Sequence, residues 1–202
     1  MLVIHLMSGD AAALVAECRI DWAAGGAGAM DPVGQRGFMA RRLALRRLRA
    51  GLALPAIPLP AQGPPPLGCS ASGSGCRFLV AVASSPIAVG VDLEIEERWP
   101  LAAEALGIAD VRAAARCWVR LEAVVKAARC GLAEGMRPSE FISQCTASGP
   151  VLCAGAWWNV IDVAVPVGIA ALAIPVDAQV HAMVWAPEQQ VGVPLPNGAF
   201  SR

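Results

Sequence analysis

Residues 78–94 read FLVAVASSPIAVGVDLE, and this stretch decides the fold class. Phe78 to Ala83 and Ile87 to Leu93 are short apolar runs with the length and composition of buried strands. Ser84-Ser85-Pro86 between them predicts the turn of a hairpin. Upstream the period changes. Phe38, Leu45 and Leu52 recur every seven residues with Leu48 between them, while Arg36, Arg41, Arg42, Arg46, Arg47 and Arg49 take the other face. That pattern predicts an amphipathic helix from about Pro32 to Leu52, closed by Gly51 and Pro55. Downstream, Leu101 to Leu106 predicts a short helix, and Asp110 is a fitting N-cap for a long one, Val111 to Cys130, stopped by Gly131. Residues 138–186 read as short strands and turns, including Val151 to Cys153, Trp158 to Val165 and Ile169 to Ile174. Helix, hairpin, helix and strands in this order define an α+β fold.

The chain has 202 residues, 56% of them apolar and 16% charged. This is ample material for a core and excludes a disordered protein. Sixteen basic residues balance sixteen acidic ones, so no bulk attraction to nucleic acid or to an anionic membrane is expected. The longest apolar run, Val163 to Val176, is interrupted by Pro166, Gly168 and Pro175 and falls short of the roughly twenty residues a spanning helix needs. The opening MLVIHLMSGD lacks the basic flank of a signal peptide, and a cytoplasmic protein is expected. Cys18, Cys69, Cys76, Cys117, Cys130, Cys145 and Cys153 form no C-x-x-C pair and are expected to be buried thiols rather than zinc ligands or disulfides. A Gly/Ala patch at 23–29, a connector at 55–66 with six prolines and a Pro/Gly-containing tail at 187–202 punctuate the chain. The expected organisation is an N-terminal half, 1–98, a C-terminal half, 99–186, and the tail.

Asp92 and Glu94 carry the chemistry of the second apolar run. A strand has period two, so both carboxylates leave the same face, about 7 Å apart. Like charges so placed call for a cation, and a hard divalent ion such as Mg²⁺ suits them. The plainer reading is an acidic strand end continued by Glu96-Glu97-Arg98. On the long helix, Trp118, Glu122 and Lys126 share one face. Glu122 and Lys126 are either a surface ion pair or a third metal ligand and a phosphate contact. Lys126 is the sole lysine beside fifteen arginines. The arginine-rich helix suits a small polyphosphate better than a nucleic acid, since no aromatics are interleaved for base stacking. Gly68 to Gly75, GCSASGSG, reads as a small-residue loop able to wrap a phosphate with backbone N–H groups.

Taken in order, these segments resemble the Sfp-type 4′-phosphopantetheinyl transferases. The family's G-[VI]-D-[LIV]-E stands intact from Gly90 to Glu94. Its W-[ST]-x-K-E-[AS]-x-x-K is matched by Trp118-Val119-Arg120-Leu121-Glu122-Ala123-Val124-Val125-Lys126, followed by Gly131-Leu132. Arg36 falls where the family has an arginine that contacts coenzyme A, and Ser70-Ala71-Ser72-Gly73-Ser74 takes the place of S-x-S-H-S. The resemblance covers about residues 32–175. It implies two similar α+β halves related by a pseudo-twofold, with the active site in the cleft between them. It also implies transfer of 4′-phosphopantetheine from coenzyme A to a serine of an apo acyl or peptidyl carrier protein, by a monomer. Asp92, Glu94 and Glu122 would hold Mg²⁺, Glu122 and Lys126 would be catalytic, and Arg36, Ser72, Gly73 and Ser74 would meet coenzyme A. The pattern departs at Gly73 (histidine in the family), at Leu121 (lysine), at Gly63-Pro64-Pro65 (G-K-P), and in lacking the F-[ST]-x-x-E segment. The alternative is a catalytically impaired homologue that binds carrier protein or coenzyme A without turnover.

Overall fold

The computed structural model describes residues 2–17, 32–55, 65–132, 138–145 and 150–185. The 23–29 patch, most of the proline-rich connector including Gly63 and Pro64, and the 187–202 tail lie outside the described residues. The elements in chain order are β1 (Leu2–Asp10), α1 (Ala11–Glu17), α2 (Pro32–Gly51), β2 (Cys69–Ser74), β3 (Arg77–Ala83) and β4 (Gly90–Glu94). A 3₁₀ turn at Glu96–Arg98 leads to α3 (Trp99–Leu106), α4 (Val111–Ala128), α5 (Pro138–Cys145), β5 (Val151–Cys153), β6 (Ala156–Val163), β7 (Ile169–Pro175) and β8 (Val180–Trp185). The class is α+β, as expected.

Two four-stranded sheets result, ordered β2-β3-β1-β8 and β4-β7-β6-β5. Strand membership crosses the middle of the chain: β4 joins the second sheet, and β8 returns to pair in parallel with β1. Three cores fix the layers. Ile4, Leu6, Leu79 and Ala81 of the first sheet meet Val91, Leu93, Ala170 and Leu172 of the second. The opposite face of the first sheet, with Met7, Phe78, Val80 and Val82, takes Ala40, Ala44, Leu45 and Leu48 of α2. The opposite face of the second takes Val119, Ala123, Val124 and Ala127 of α4 against Val151, Trp158, Ala171 and Ala173. Period two on each strand thus feeds two cores, and each long helix buries one apolar stripe.

The helices follow their signals. Asp10 and Asp110 cap α1 and α4 by accepting two backbone N–H bonds each. Five expectations change. Helix α4 ends at Ala128 with Arg129 in the left-handed region at φ 58°, and not at Gly131. Residues 138–145 are helical, where short strands and turns were expected. Cys76 is exposed and Cys130 half-buried, although Cys69, Cys117 and Cys153 are buried free thiols. The runs flanking Ser84-Ser85-Pro86 are not a hairpin: β3 pairs with β1 and β2, and β4 pairs with β7. Both edges of β3 are taken by β1 and β2, which leaves β4 to pair with β7. The 68–75 segment is not a phosphate-wrapping loop. Its middle is strand β2, paired antiparallel with β3 around a turn in which Gly75 has φ 54°. Among the described residues no helix is long and apolar enough to cross a membrane.

Candidate active site

β2 and β4 are edge strands of different sheets, and they meet through side chains rather than a backbone ladder. Serine at every second position of β2 makes the joint. Ser70 Oγ accepts from the Val91 N–H at 3.0 Å, and Ser74 Oγ accepts from the Ile95 N–H at 3.3 Å. These hydroxyls satisfy N–H groups that would otherwise be buried and unpaired at an open edge. The same row holds the acids. Ser72 Oγ donates to Asp92 Oδ1 at 2.6 Å, and Ser74 Oγ donates to Glu94 Oε2 at 2.5 Å.

Helix α4 closes on the other side. Gly90 lets it approach, because a Cβ there would stand 1.9 Å from the Ala123 carbonyl oxygen. One helical turn farther on, Lys126 Nζ donates to Asp92 Oδ1 at 2.5 Å and to Ser72 Oγ at 3.3 Å, and lies 3.9 Å from Glu122 Oε2. The structure therefore brings Asp92, Glu94, Glu122 and Lys126 together from two elements. Asp92 is 4% exposed, and its Oδ2 is buried with no hydrogen-bond partner. Burial pushes the Glu122 carboxyl above its ordinary value against the opposing pull of Lys126, with Asp92 and Glu94 pushing the same way as burial. Burial likewise raises Glu94, partly offset by the Ser74 hydrogen bond. Three carboxylates facing one ammonium leave an excess of two negative charges when all are ionised.

That excess, an all-oxygen donor set and the orphaned Asp92 Oδ2 fit a hard divalent cation in kind. In position they fit less directly. Among the described residues no three acidic, His or Cys side chains are gathered to hold a metal as they stand, and the ammonium of Lys126 sits on Asp92.

Beside the cluster lies a cavity of about 430 Å³, within the range of small-ligand sites. Pro66, Leu67, Ala71, Val89 and Val125 make its walls largely apolar; among the described residues Lys126 and Arg129 supply the charge, and no carboxylate lines it. Such a cavity suits a ligand with an apolar body and an anionic group.

The remaining expected positions fall as follows. Ser72 and Ser74 point at the acids. Gly73, between them, is exposed and faces α2, and the Arg41 guanidinium takes up the space a side chain would need, 2.4 Å from a Cβ built there. Arg36 is exposed near the start of α2. Leu121 is fully buried in the α4 core. Sequence reasoning missed Arg41, Arg129 and the joint-forming role of Ser70. Only the serine spacing of two carried a usable signal. No protein-family model matches the chain, and comparison with curated proteins gives no match.

Proposed function

We propose that the protein transfers the 4′-phosphopantetheine group of coenzyme A to a serine of an apo acyl or peptidyl carrier protein and releases 3′,5′-ADP. The observation that carries this reading is the meeting of Asp92 and Glu94 on β4 with Glu122 and Lys126 on α4, of which Lys126 also lines the neighbouring cavity. The halves would be related by a pseudo-twofold, with the site in the cleft between them.

In this reading the carrier serine oxygen attacks the phosphorus that bears the pantetheine. The bond from that phosphorus to the bridging oxygen breaks, and the oxygen leaves on 3′,5′-ADP. Asp92, Glu94 and Glu122 would hold Mg²⁺, which when bound offsets charge on the pyrophosphate oxygens. Glu122 takes the serine proton, and its burial favours uptake over that of a solvated carboxylate. Lys126 is a compact point charge for a phosphate in the cavity it lines. Ser72 and Ser74 fix the rotamers of the two strand acids.

A second reading is favoured by one pair of positions: Gly73 has no side chain and Leu121 is buried, so neither offers the charged contact the family places there. On that reading the chain binds carrier protein or coenzyme A without turnover. Incubation with coenzyme A, Mg²⁺ and several apo carriers, followed by mass spectrometry, separates the two. A carrier heavier by one phosphopantetheine group is expected, and its loss in Asp92→Ala and in Glu122→Ala. No adduct on any carrier sinks the transferase reading, and binding of coenzyme A without adduct establishes the second.

A further inference from the structure

Lys126 faces two ways. Its ammonium satisfies Asp92 Oδ1 and Ser72 Oγ and neighbours Glu122, yet the same side chain is part of the wall of the 430 Å³ cavity. It is the one cation in direct contact with the carboxylates among the described residues. A divalent ion drawing on Asp92 and Glu122 would compete with the ammonium for the same oxygens, and the two positive charges would repel at short range. The lysine stem is flexible and its side chain is 30% exposed, so the ammonium can leave Asp92 without unfolding α4. An anion in the cavity, which no carboxylate lines among the described residues, offers the ammonium a second partner.

We infer that Lys126 is the resident counter-ion of the Asp92–Glu122 cluster, and that its withdrawal toward an anionic, phosphate-bearing ligand in the cavity opens the cluster to a divalent cation. Anion and cation then bind cooperatively, each raising the affinity of the other by the same factor. The exchange frees Asp92 Oδ1 of the ammonium, and the buried Oδ2, which has no hydrogen-bond partner, is the second oxygen of the same carboxylate. The inference rests on reading Asp92, Glu94 and Glu122 as metal ligands, but concerns what controls access to them.

Mn²⁺ binding to the full chain, followed by electron paramagnetic resonance with protein-free controls for Mn²⁺–phosphate complexes, tests it without any transferase assay. Wild type is expected to bind Mn²⁺ about tenfold or more tightly in saturating inorganic phosphate than without it. Lys126→Met, and Lys126→Gln as a second variant should the first misfold, are expected to bind Mn²⁺ without phosphate about as tightly as wild type binds it with phosphate. Mn²⁺ affinity of wild type that does not change with phosphate overturns the exchange while leaving the metal site standing. No Mn²⁺ binding in any arm overturns both.

Discussion

Gly90 on β4 and Ala123 on α4 are in backbone contact: any side chain at residue 90 would drive its Cβ to within 1.9 Å of the Ala123 carbonyl oxygen and 2.6 Å of the Ala127 nitrogen. Backbone atoms cannot swing aside as a flexible side chain can. Gly90→Ala must therefore part strand from helix, and overpacking of this kind costs about 3 kcal/mol or more. Urea denaturation is expected to show that loss. The proposed transfer activity is expected to fall further than stability alone explains, because Asp92 and Lys126 are carried by the two parted elements.

Ser72→Ala and Ser74→Ala each remove a hydroxyl that holds a carboxylate. Hydrogen bonds to charged groups contribute roughly 1.5–3 kcal/mol, and a loss near the lower end is expected for each. A double-mutant cycle of Ser72→Ala with Asp92→Asn should show clear coupling, as the pair is buried and in direct contact. Ser74→Ala should also lift the already raised Glu94 pKa, since the hydroxyl opposes the effect of burial. Carboxyl NMR titration reads that shift directly, and a lower value would contradict the assignment.

His5 sets a pH dependence. It is buried in the inner strand β1, and burial lowers its pKa below the ordinary 6.5. The unfolded chain takes up a proton near 6.5 while the folded one still resists. Protonation therefore favours unfolding, and this contribution to stability is full above 6.5 and declines as pH falls below it. Melting temperatures of wild type across this range are expected to fall with pH more steeply than those of His5→Phe. Parallel curves would contradict it.

Arg129 ends α4 at φ 58°, a conformation that costs a residue with a Cβ about 1 kcal/mol and glycine almost nothing. Arg129→Gly should be more stable than Arg129→Ala by about 1 kcal/mol in thermal or urea denaturation. Both should weaken binding of anions in the adjoining cavity, which Arg129 lines.

What the sequence revealed and what it concealed follow from the range of each interaction. Helices α2 and α4 were legible because their periods and the Asp110 cap are local. The shared face of Asp92 and Glu94 was legible from period two, and the helical spacing placed Glu122 beside Lys126. β2 was hidden because Ser-Ala-Ser-Gly-Ser has little intrinsic preference for a strand. It is one because β3 pairs with its backbone and because the N–H groups of Val91 and Ile95 need the Ser70 and Ser74 hydroxyls. The division of β3 and β4 between two sheets was likewise set by partners far along the chain. So was the contact between Lys126 and Asp92, thirty-four residues apart. Arg41 over Gly73 had no local signal at all.

The parallel pairing of β1 with β8 also bears on how the molecule forms. Residues 2–6 find their partners only at 180–185, so this edge of the first sheet cannot be completed until Trp185 has been made. β4 likewise waits for β7, whose residues 169–173 it pairs with in the second sheet. Contacts of such long sequence separation predict slow folding. They also couple the two sheets into one cooperative unit, so that excising either sequence half would strand a partnerless β-strand, and unfolding should pass through a single transition.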